Sequence, residues 1–344
     1  MTSIATEPVS FRHLALLTDD RGILEHAKGI EPRYQHGYCT DDNARLLVVC
    51  SRADAGMSSA KVLATVGLNF VIDAMASDGA FRNRMSFERC WVDEPCTNDC
   101  WGRALWGLGS AYSLSTDHAL RAVAIKAFDK AAVLRSEHPR AMAFAALGAA
   151  EVVGVDRQHE LARRLLGDAA TMIDQPGQST SWPWPQARLT YSNASLAEVL
   201  IAAGSLLNDK RWEARGLELL DWLLQMETLD QHLSVTPASG RGPGDPKPAF
   251  DQQPIEVAAL ADACARAHRV TDSPKWLEGV ALSIAWFQGK NDAHTPMIDH
   301  SSGGGYDGLE SSGVNINQGA ESTIAMLMTL QHQRLVPRGE KWIW

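Results

Sequence analysis

Carboxylates stand at or near the starts of four predicted helices, and paired carboxylates can hydrolyse glycosidic bonds. Such hydrolysis needs one protonated carboxyl group for the leaving oxygen and a second carboxylate, roughly 6.5–9.5 Å apart when the reaction inverts the anomeric centre. Side chains from different helix starts can reach this separation across a shared cavity. The candidate acid and base residues are Asp42, Asp99, Glu256 and Glu321.

Three of these positions also have a simpler structural interpretation. Asp42 and Asp99, like the neighbouring Asp41, suit the positive end of a helix dipole or a helix cap. Glu256 lies two residues after Pro254, where a reciprocal capping interaction would explain it. Structural and catalytic roles therefore both stay open at these positions.

Glu321 is harder to explain as a cap. It lies about one turn inside a helix of small and apolar residues, where a carboxylate is costly unless it is paired or titrates abnormally. Arg45 and Arg103 are its candidate structural partners. Glu321 is therefore the strongest single candidate for a functional carboxylate.

Aromatic, acidic and basic residues near these helix starts are candidates for substrate binding. Tryptophan faces often stack on sugar rings but also fill protein cores, and the chain has 11 Trp against 5 Tyr. Loop arginines such as Arg84 bind an anionic group or are simply solvated, and Asp307 binds calcium or a sugar hydroxyl or makes a turn. The predicted substrate-binding residues are His36, Tyr38, Asp41, Arg45, Arg84, Trp91, Trp101, Arg103, Trp184, Asp251, Gln252, Tyr306, Asp307 and Gln318.

The composition is that of a globular protein with an acidic surface. Of 344 residues, 45% are hydrophobic and 21% are charged, and the formal net charge is −9. This charge argues against nucleic acid or an anionic membrane as a partner, so a small-molecule carbohydrate is the expected one. We see no secretory signal or membrane-spanning run, the six cysteines lack zinc-ribbon spacing, and we expect a cytoplasmic protein without metal or cofactor.

Pairs of predicted helices recur along the chain. The first helix of each pair is rich in alanine, glycine and apolar residues, which is typical of a buried helix, and the second is amphipathic. Successive first helices start 40 to 63 residues apart. Their predicted starts are Asp42, Asp99, Pro139, Asn193, Pro254 and Asn317.

This repeat predicts an all-α fold, an (α/α)6 barrel or toroid of helical hairpins. We expect one toroid domain over residues 1–344, with 1–11 as a loose leader and the tail 341–344 packed on the body. The sixth outer helix is missing after residue 333, so the segment 11–27 is expected to close the ring. A small β-hairpin is expected within 77–92 or 228–250, and the long loops are expected to gather at one end of the ring.

Five longer motifs stand out along the chain: His36-Gly-Tyr-Cys-Thr-Asp-Asp-Asn-Ala-Arg45, Ser86-Phe-Glu-Arg89, Trp101-Gly-Arg-Ala-Leu-Trp106, Phe250-Asp-Gln-Gln-Pro-Ile-Glu256 and Asn317-Gln-Gly-Ala-Glu-Ser-Thr323. Together they resemble a bacterial family of the six-hairpin glycosidase-like superfamily, some members of which carry glycosyltransferase-like names. The resemblance covers about residues 12–332 and implies an (α/α)6 barrel and a role in carbohydrate metabolism.

Three functions remain open at this point. The leading hypothesis is an inverting glycoside hydrolase that acts on an oligosaccharide. The second is a sugar epimerase or isomerase that uses His36, His294 or His300 for proton transfer. The third is a non-catalytic glycan-binding toroid. A glycosyltransferase is disfavoured, because we find neither a glycine-rich nucleotide loop after a strand nor a doubly wound α/β pattern. The oligomeric state stays open.

Overall fold

The computed structural model of the chain describes residues 9–336. Within this range the chain forms twelve α-helices joined by loops that carry short strands. The helices are α1 Arg12–Leu17, α2 Thr40–Ser51, α3 Ser58–Ala74, α4 Asp99–Leu114, α5 His118–Ala131, α6 Pro139–Val155, α7 Glu160–Ile173, α8 Ala194–Leu207, α9 Lys210–Met226, α10 Pro254–Thr271, α11 Lys275–Phe287 and α12 Ala320–Gln331.

The even-numbered helices from α2 to α12 form a closed inner ring. Each packs on the next, and α12 packs back on α2. The odd-numbered helices from α3 to α11 each pack outside the inner helix that precedes them. The predicted (α/α)6 toroid is therefore confirmed.

The sequence pattern explains which helices lie inside. In the inner helix α8, every residue from Ala194 to Gly204 is buried. In the outer helix α9, the buried residues are Gly216, Leu219, Leu220, Leu223 and Leu224, a single stripe of the kind that an amphipathic helix buries. Small residues allow the inner helices to approach closely, because a Cβ at Gly109 of α4 would collide with the backbone of Gly148 in α6.

The sixth pair is closed from the N-terminal side. The short helix α1 packs on α12, as expected for the segment 11–27, but it ends at Leu17 because Thr18 is extended. A 3-10 helix over His332–Leu335 packs against α10, α11 and α12 on the other side. Phe11, expected in the leader, is buried in the core, while residues 1–8 and the tail 341–344 lie outside the described residues.

The strands form five two-stranded antiparallel sheets. The pair β5–β6 is a hairpin in the predicted range 228–250, whereas β4 of the range 77–92 pairs with β3, which precedes α2. Along residues 9–336, no helix combines the length and the apolar character needed to cross a membrane. The strands are β1 Ala27–Lys28, β2 Glu31–Pro32, β3 Tyr38–Cys39, β4 Arg84–Met85, β5 Thr228–Leu229, β6 His232–Leu233, β7 Ile298–Asp299, β8 Gly304–Gly305, β9 Gly308–Glu310 and β10 Gly313–Asn315.

Candidate active site

The starts of the inner helices α2, α10 and α12 and the loops before them surround a cavity of about 280 Å³. We call it the upper cavity. Its residues are mostly polar, and carboxylates outnumber cations. The lining residues are Glu25, His26, Asp42, Arg45, Asp251, Gln253, Asp307, Asn315, Gly319, Glu321 and Ser322.

Arg45 connects two carboxylates of the upper cavity. Its Nη2 donates to Asp42 Oδ1 at 2.7 Å, and its Nη1 donates to Glu321 Oε2. The Asp42 side chain is only 2% exposed, whereas that of Glu321 is 41% exposed. Glu321 is therefore the carboxylate of this pair that a ligand in the cavity can reach.

The environment pushes the two pKa values apart. Burial raises the pKa of Asp42 to about 6, with Arg45 opposing the rise and the charges of Glu321 and Glu25 adding to it. Burial also acts to raise the pKa of Glu321, but the guanidinium groups of Arg45 and Arg103 outweigh it and hold that pKa below its ordinary value. Glu321 is consequently ionised at neutral pH.

Asp251 is the least satisfied carboxylate of the upper cavity. Its Oδ1 is buried and accepts no hydrogen bond from any residue between 9 and 336. Burial raises its pKa, and the nearby charges of Glu310 and Asp307 raise it further. Asp251 is thus a carboxyl group that holds its proton to higher pH than an exposed aspartate.

Asp307 holds the start of α12 in place. Its Oδ1 accepts hydrogen bonds from the backbone nitrogen of Gly319 at 2.7 Å and from Ser322 Oγ at 2.5 Å. Gly319 has no side chain with which to cap the helix, so Asp307 supplies the acceptor from the preceding loop. This contact fixes the helix turn that carries Glu321.

Glu25 and His26 belong to the upper cavity but are missing from the predicted site. Glu25 accepts a hydrogen bond from Arg84 Nη1, and its backbone oxygen accepts one from the nitrogen of Ala320 at 3.1 Å. The ring centroid of His26 lies 4.9 Å from that of His36, which is exposed. The sequence analysis assigned the segment 11–27 only to the closure of the ring, and no local motif marks Glu25 and His26 as site residues.

Two of the four predicted acid and base residues do not line the upper cavity. Glu256 is buried and accepts a hydrogen bond from the backbone nitrogen of Ser192. It also accepts two from Asn193, one from the backbone nitrogen at 3.2 Å and one from Nδ2 at 2.8 Å. It therefore caps the start of the neighbouring helix α8 rather than its own helix. Asp99 accepts a hydrogen bond from Tyr191 Oη at 2.9 Å.

The predicted binding residue Arg103 lies next to the Arg45–Glu321 pair. Arg103 lines a small pocket of about 20 Å³ next to the upper cavity. Arg45, Glu321 and Trp106 also line this small pocket. The guanidinium of Arg103 lies 4.0 Å from the ring centroid of Phe144, and its Nε lies 3.3 Å from Asp41 Oδ1. Arg103 is thus held as a fixed second cation near Glu321.

Most of the predicted aromatic contacts lie in the core. Tyr38, Trp101 and Trp184 are completely buried. Trp91 contacts Phe70, with ring centroids 5.3 Å apart, and none of these side chains lines the upper cavity. Their positions match the core-filling interpretation of tryptophan.

Three other predicted binding residues lie behind the site. Gln252 is buried and donates to Asp292 Oδ2 at 2.6 Å, and Gln318 is buried and donates to Asp299 Oδ2 at 2.9 Å. Tyr306 is half-buried against the core. These side chains therefore stabilise the loops before α10 and α12 and do not line the cavity.

Among residues 9–336, one group of side chains has atoms close enough to hold a metal ion. Oxygen atoms of Glu25 and Asp42 and the sulfur of Cys39 lie within 4.8 Å of one another. However, Arg84 and Arg45 already neutralise the two carboxylates. Burial and the Asp42 charge raise the pKa of Cys39, so it stays a neutral thiol, which is a poor metal ligand. The donor set therefore does not favour a metal.

No protein-family model and no curated protein matches the sequence. Solved structures match the fold over nearly its whole length. A sugar epimerase from a ruminal bacterium is 15% identical, with a TM-score of 0.71 and coverage of 95% of this chain and 96% of that one. Cellobiose 2-epimerase from Bacillus thermoamylovorans B4167 is 11% identical, with a TM-score of 0.71 and coverage of 94% and 95%.

A third similar structure is a GH76A α-1,6-mannanase from Salegentibacter sp. HEL1_6, which is 11% identical, with a TM-score of 0.65 and coverage of 96% and 98%. At these identities the likeness concerns the fold. The chain thus has the six-hairpin toroid that the sequence motifs imply, a fold that these neighbours combine with different reactions.

Proposed function

We propose that this protein is a carbohydrate-active enzyme that hydrolyses a glycosidic bond in the upper cavity. The observation that carries the proposal is a pair of carboxylates in one cavity with oppositely shifted pKa values, Glu321 lowered and Asp251 raised. Two titratable groups separated in this way suit a general base and a general acid. The fold neighbours, which are named for reactions on sugars, support the substrate class.

In this mechanism Glu321 acts as the general base. It takes a proton from water, whose oxygen attacks the anomeric carbon. As the bond from that carbon to the leaving oxygen breaks, the leaving oxygen takes the proton of Asp251. The product sugar gains the hydroxyl group from water, and the proton on Glu321 returns to solvent as the active protonation states are restored.

Arg45 and Arg103 keep Glu321 ionised between substrate encounters. Asp42 positions Arg45, because both of its oxygens are already engaged, Oδ1 by Arg45 and Oδ2 by the Cys39 thiol at 3.1 Å. This assigns Asp42 a positioning role within the predicted acid and base group. Glu256 and Asp99 receive no role in the reaction.

The charge of the upper cavity indicates the class of sugar. Five carboxylates line it, and Arg45 is the guanidinium group among its lining residues. An anionic sugar would be repelled by this excess of negative charge. A neutral oligosaccharide, whose hydroxyl groups can bind His26, Gln253 and Asn315, is the expected substrate.

The test is a screen of neutral oligosaccharides for the release of reducing ends. Glu321→Gln and Asp251→Asn should each lower kcat by about 10²–10⁴-fold, the range of a lost general acid or base. Glu213→Gln on the outer helix α9 is the matched control and should keep full activity. Wild-type rates in both folded site variants would overturn the assignment.

A sugar epimerase is the second candidate, because the imidazole of His26 lines the upper cavity, with the exposed ring of His36 behind it at a centroid distance of 4.9 Å. Of the predicted histidines, neither His36 nor His294 nor His300 lines that cavity itself. Incubation of free sugars in deuterated water distinguishes the two reactions. An epimerase that works by proton transfer incorporates deuterium into the recovered sugar, and His26→Gln should abolish it, whereas the hydrolase leaves carbon-bound hydrogen unexchanged.

A further inference from the structure

A second cavity lies at the opposite end of the helix ring. Its volume is about 450 Å³, and it shares no lining residue with the upper cavity. We call it the lower cavity. The ends of the inner helices line it: Arg52 follows α2, whereas Asp42 lies in the first turn of α2. Ten residues of helix place these two positions roughly 15 Å apart along the axis.

Two groups of ion pairs form the wall of the lower cavity. Arg52 Nη1 donates to both oxygens of Asp262, at 2.8 and 3.0 Å, and the Nε2 of His332 lies 2.6 Å from Asp262 Oδ1. In the second group, Arg266 donates from Nε to Glu198 Oε1 at 2.7 Å and from Nη2 to Glu151 Oε1 at 3.0 Å. These pairs fix the wall but do not use all of its polar atoms.

Two buried acceptors of the wall are left without a donor. The Glu198 side chain is 3% exposed, yet its Oε2 accepts no hydrogen bond from the described part of the chain. Gln331 donates to the backbone oxygen of Val49 at 2.8 Å, but its Oε1 is buried and equally without a donor over residues 9–336. Buried acceptors normally have a partner, so both oxygens are suited to accept hydrogen bonds from a ligand.

Two arginines of the same wall have hydrogen-bond donors without an acceptor among the described residues. Arg269 lines the cavity and forms no ion pair with any residue from 9 to 336. The pair of Arg52 with Asp262 uses only Nη1, which leaves Nε and Nη2 of Arg52 without an acceptor among the described residues. A ligand that fits must therefore present an anionic group as well as hydrogen-bond donors.

We propose that the lower cavity binds a small polyol with one anionic group, such as a sugar phosphate or a sugar acid. Its hydroxyl groups donate to Glu198 Oε2 and Gln331 Oε1, and its anionic group binds Arg269 and Arg52. A volume of about 450 Å³ falls in the range of small-molecule sites. This site is separate from the proposed reaction and does not depend on it.

The test is calorimetric titration of the full chain with four probes: glucose 6-phosphate, gluconate, glucose and inorganic phosphate. At least one of the two anionic sugars should bind saturably, and comparing them shows whether the anion is a phosphate or a carboxylate. Glucose and inorganic phosphate each lack one half of the expected contacts. Their dissociation constants should be at least about tenfold higher, because the loss of a hydrogen bond to a charged group weakens binding by about that factor.

Variants locate the binding site. Arg269→Ala should weaken binding of the anionic sugar about tenfold or more, and Gln331→Leu should weaken it through a different contact. Arg164→Ala, an exposed arginine of the outer helix α7, is the matched control and should leave the affinity unchanged. Folding of each variant is checked by its thermal midpoint.

Three results would overturn the proposal as a whole, and a fourth would overturn its polyol half. The first is that neither anionic sugar binds at millimolar concentration. The second is that binding persists unchanged in both folded variants, Arg269→Ala and Gln331→Leu. The third is that binding is lost in Glu321→Gln, which would place the ligand in the upper cavity. Binding of inorganic phosphate as tight as that of the sugar phosphate would reject the polyol contacts.

Discussion

Arg45 on α2 donates a hydrogen bond to Glu321 on α12, and this ion pair joins the first and last inner helices of the ring across 276 positions of sequence. The same guanidinium also binds the buried Asp42. Arg45 therefore links the two helices that close the ring and, together with Arg103, favours the ionised form of the proposed general base. Stability and catalysis are expected to share this residue, and the two effects can be separated experimentally.

The first prediction concerns stability. Arg45→Met should destabilise the fold by roughly 3 kcal/mol, because it leaves the carboxylate of Asp42 buried without its cation. The measurement is urea unfolding at neutral pH, compared with the wild type.

The matched control for this variant is Arg89→Met, which breaks an ion pair with Asp20 at the surface, where both partners are more than half exposed. Solvent screens such a pair, so its unfolding midpoint should stay close to that of the wild type. Equal losses of unfolding free energy in the two variants would show that Arg45 stabilises the fold no more than a surface ion pair does.

The second prediction concerns the pH profile of the reaction. The active form has Glu321 ionised and Asp251 protonated, so kcat/KM should fall on the acid side as Glu321 gains a proton and on the alkaline side as Asp251 loses one. The negative charge of Glu310 raises the pKa of Asp251. Glu310→Gln should therefore move the alkaline limb to lower pH and leave the acid limb in place.

The profile is measured with a neutral substrate from the screen, with Glu278→Gln of the outer helix α11 as the control. An alkaline limb that stays where it is in Glu310→Gln, or that moves to higher pH, would contradict the assignment of Asp251 as the acid.

The fold could be predicted because it depends on a pattern that repeats. An inner helix must be apolar on every side, whereas an outer helix needs one apolar stripe, and α8 and α9 differ in this way in the sequence itself. The pairing of Glu321 with Arg45 or Arg103 could also be predicted, and the Arg45–Glu321 ion pair confirms it. The predicted position was wrong: Glu321 lies in the first turn of α12, not one turn inside it, and its side chain is 41% exposed.

The rest of the site depends on contacts between distant parts of the chain. Glu256 caps α8, more than 60 positions before it, and nothing at residues 254–256 reveals that partner. Glu25 and His26 reach the cavity on an irregular segment before β1, which has no periodicity to indicate which side chains point inward. Trp101 and Trp184 could be recognised as large apolar groups, but composition does not tell a core position from a cavity wall.

The third prediction separates a cap from a catalyst at Glu256. Glu256→Gln replaces one acceptor oxygen with an amide nitrogen, which faces the donors of Ser192 and Asn193. We expect a loss of stability of about 1–3 kcal/mol and an unchanged kcat per folded molecule. Unfolding and active-site-normalised kinetics test both parts. A large drop in kcat with normal stability would return Glu256 to the acid and base group.

The fourth prediction concerns the stability of the fold against pH. Glu227 is buried and accepts hydrogen bonds from the nitrogen and Oγ of Thr236, both at 2.5 Å, and burial raises its pKa to about 7. The pKa of Glu227 is therefore higher in the folded state than its ordinary value of 4.5 in the unfolded state. The free energy of unfolding of the wild type is expected to fall as the pH rises from about 4.5 to about 7.

Glu227→Gln removes this titration. The variant should gain about 3 kcal/mol relative to the wild type at pH 8 and about 0 at pH 4, since one pKa unit corresponds to 1.36 kcal/mol. Denaturant unfolding at the two pH values measures the difference. If the unfolding free energies of the variant and the wild type differ by the same amount at pH 4 and at pH 8, Glu227 does not titrate between these pH values.

The fifth prediction tests the position of Asp251 without changing its chemistry. A Cβ at Gly308 would collide with Asp251 Oδ1, so Gly308→Ala must move that carboxylate away from its present place. A small displacement of a catalytic group costs about 10²-fold in rate, and we expect a drop in kcat of this size. Gly56→Ala, where a Cβ meets no atom within 4 Å, is the control and should leave kcat unchanged. Thermal midpoints distinguish displacement from unfolding, and a fully active, folded Gly308→Ala variant would mean that the reaction does not depend on Asp251.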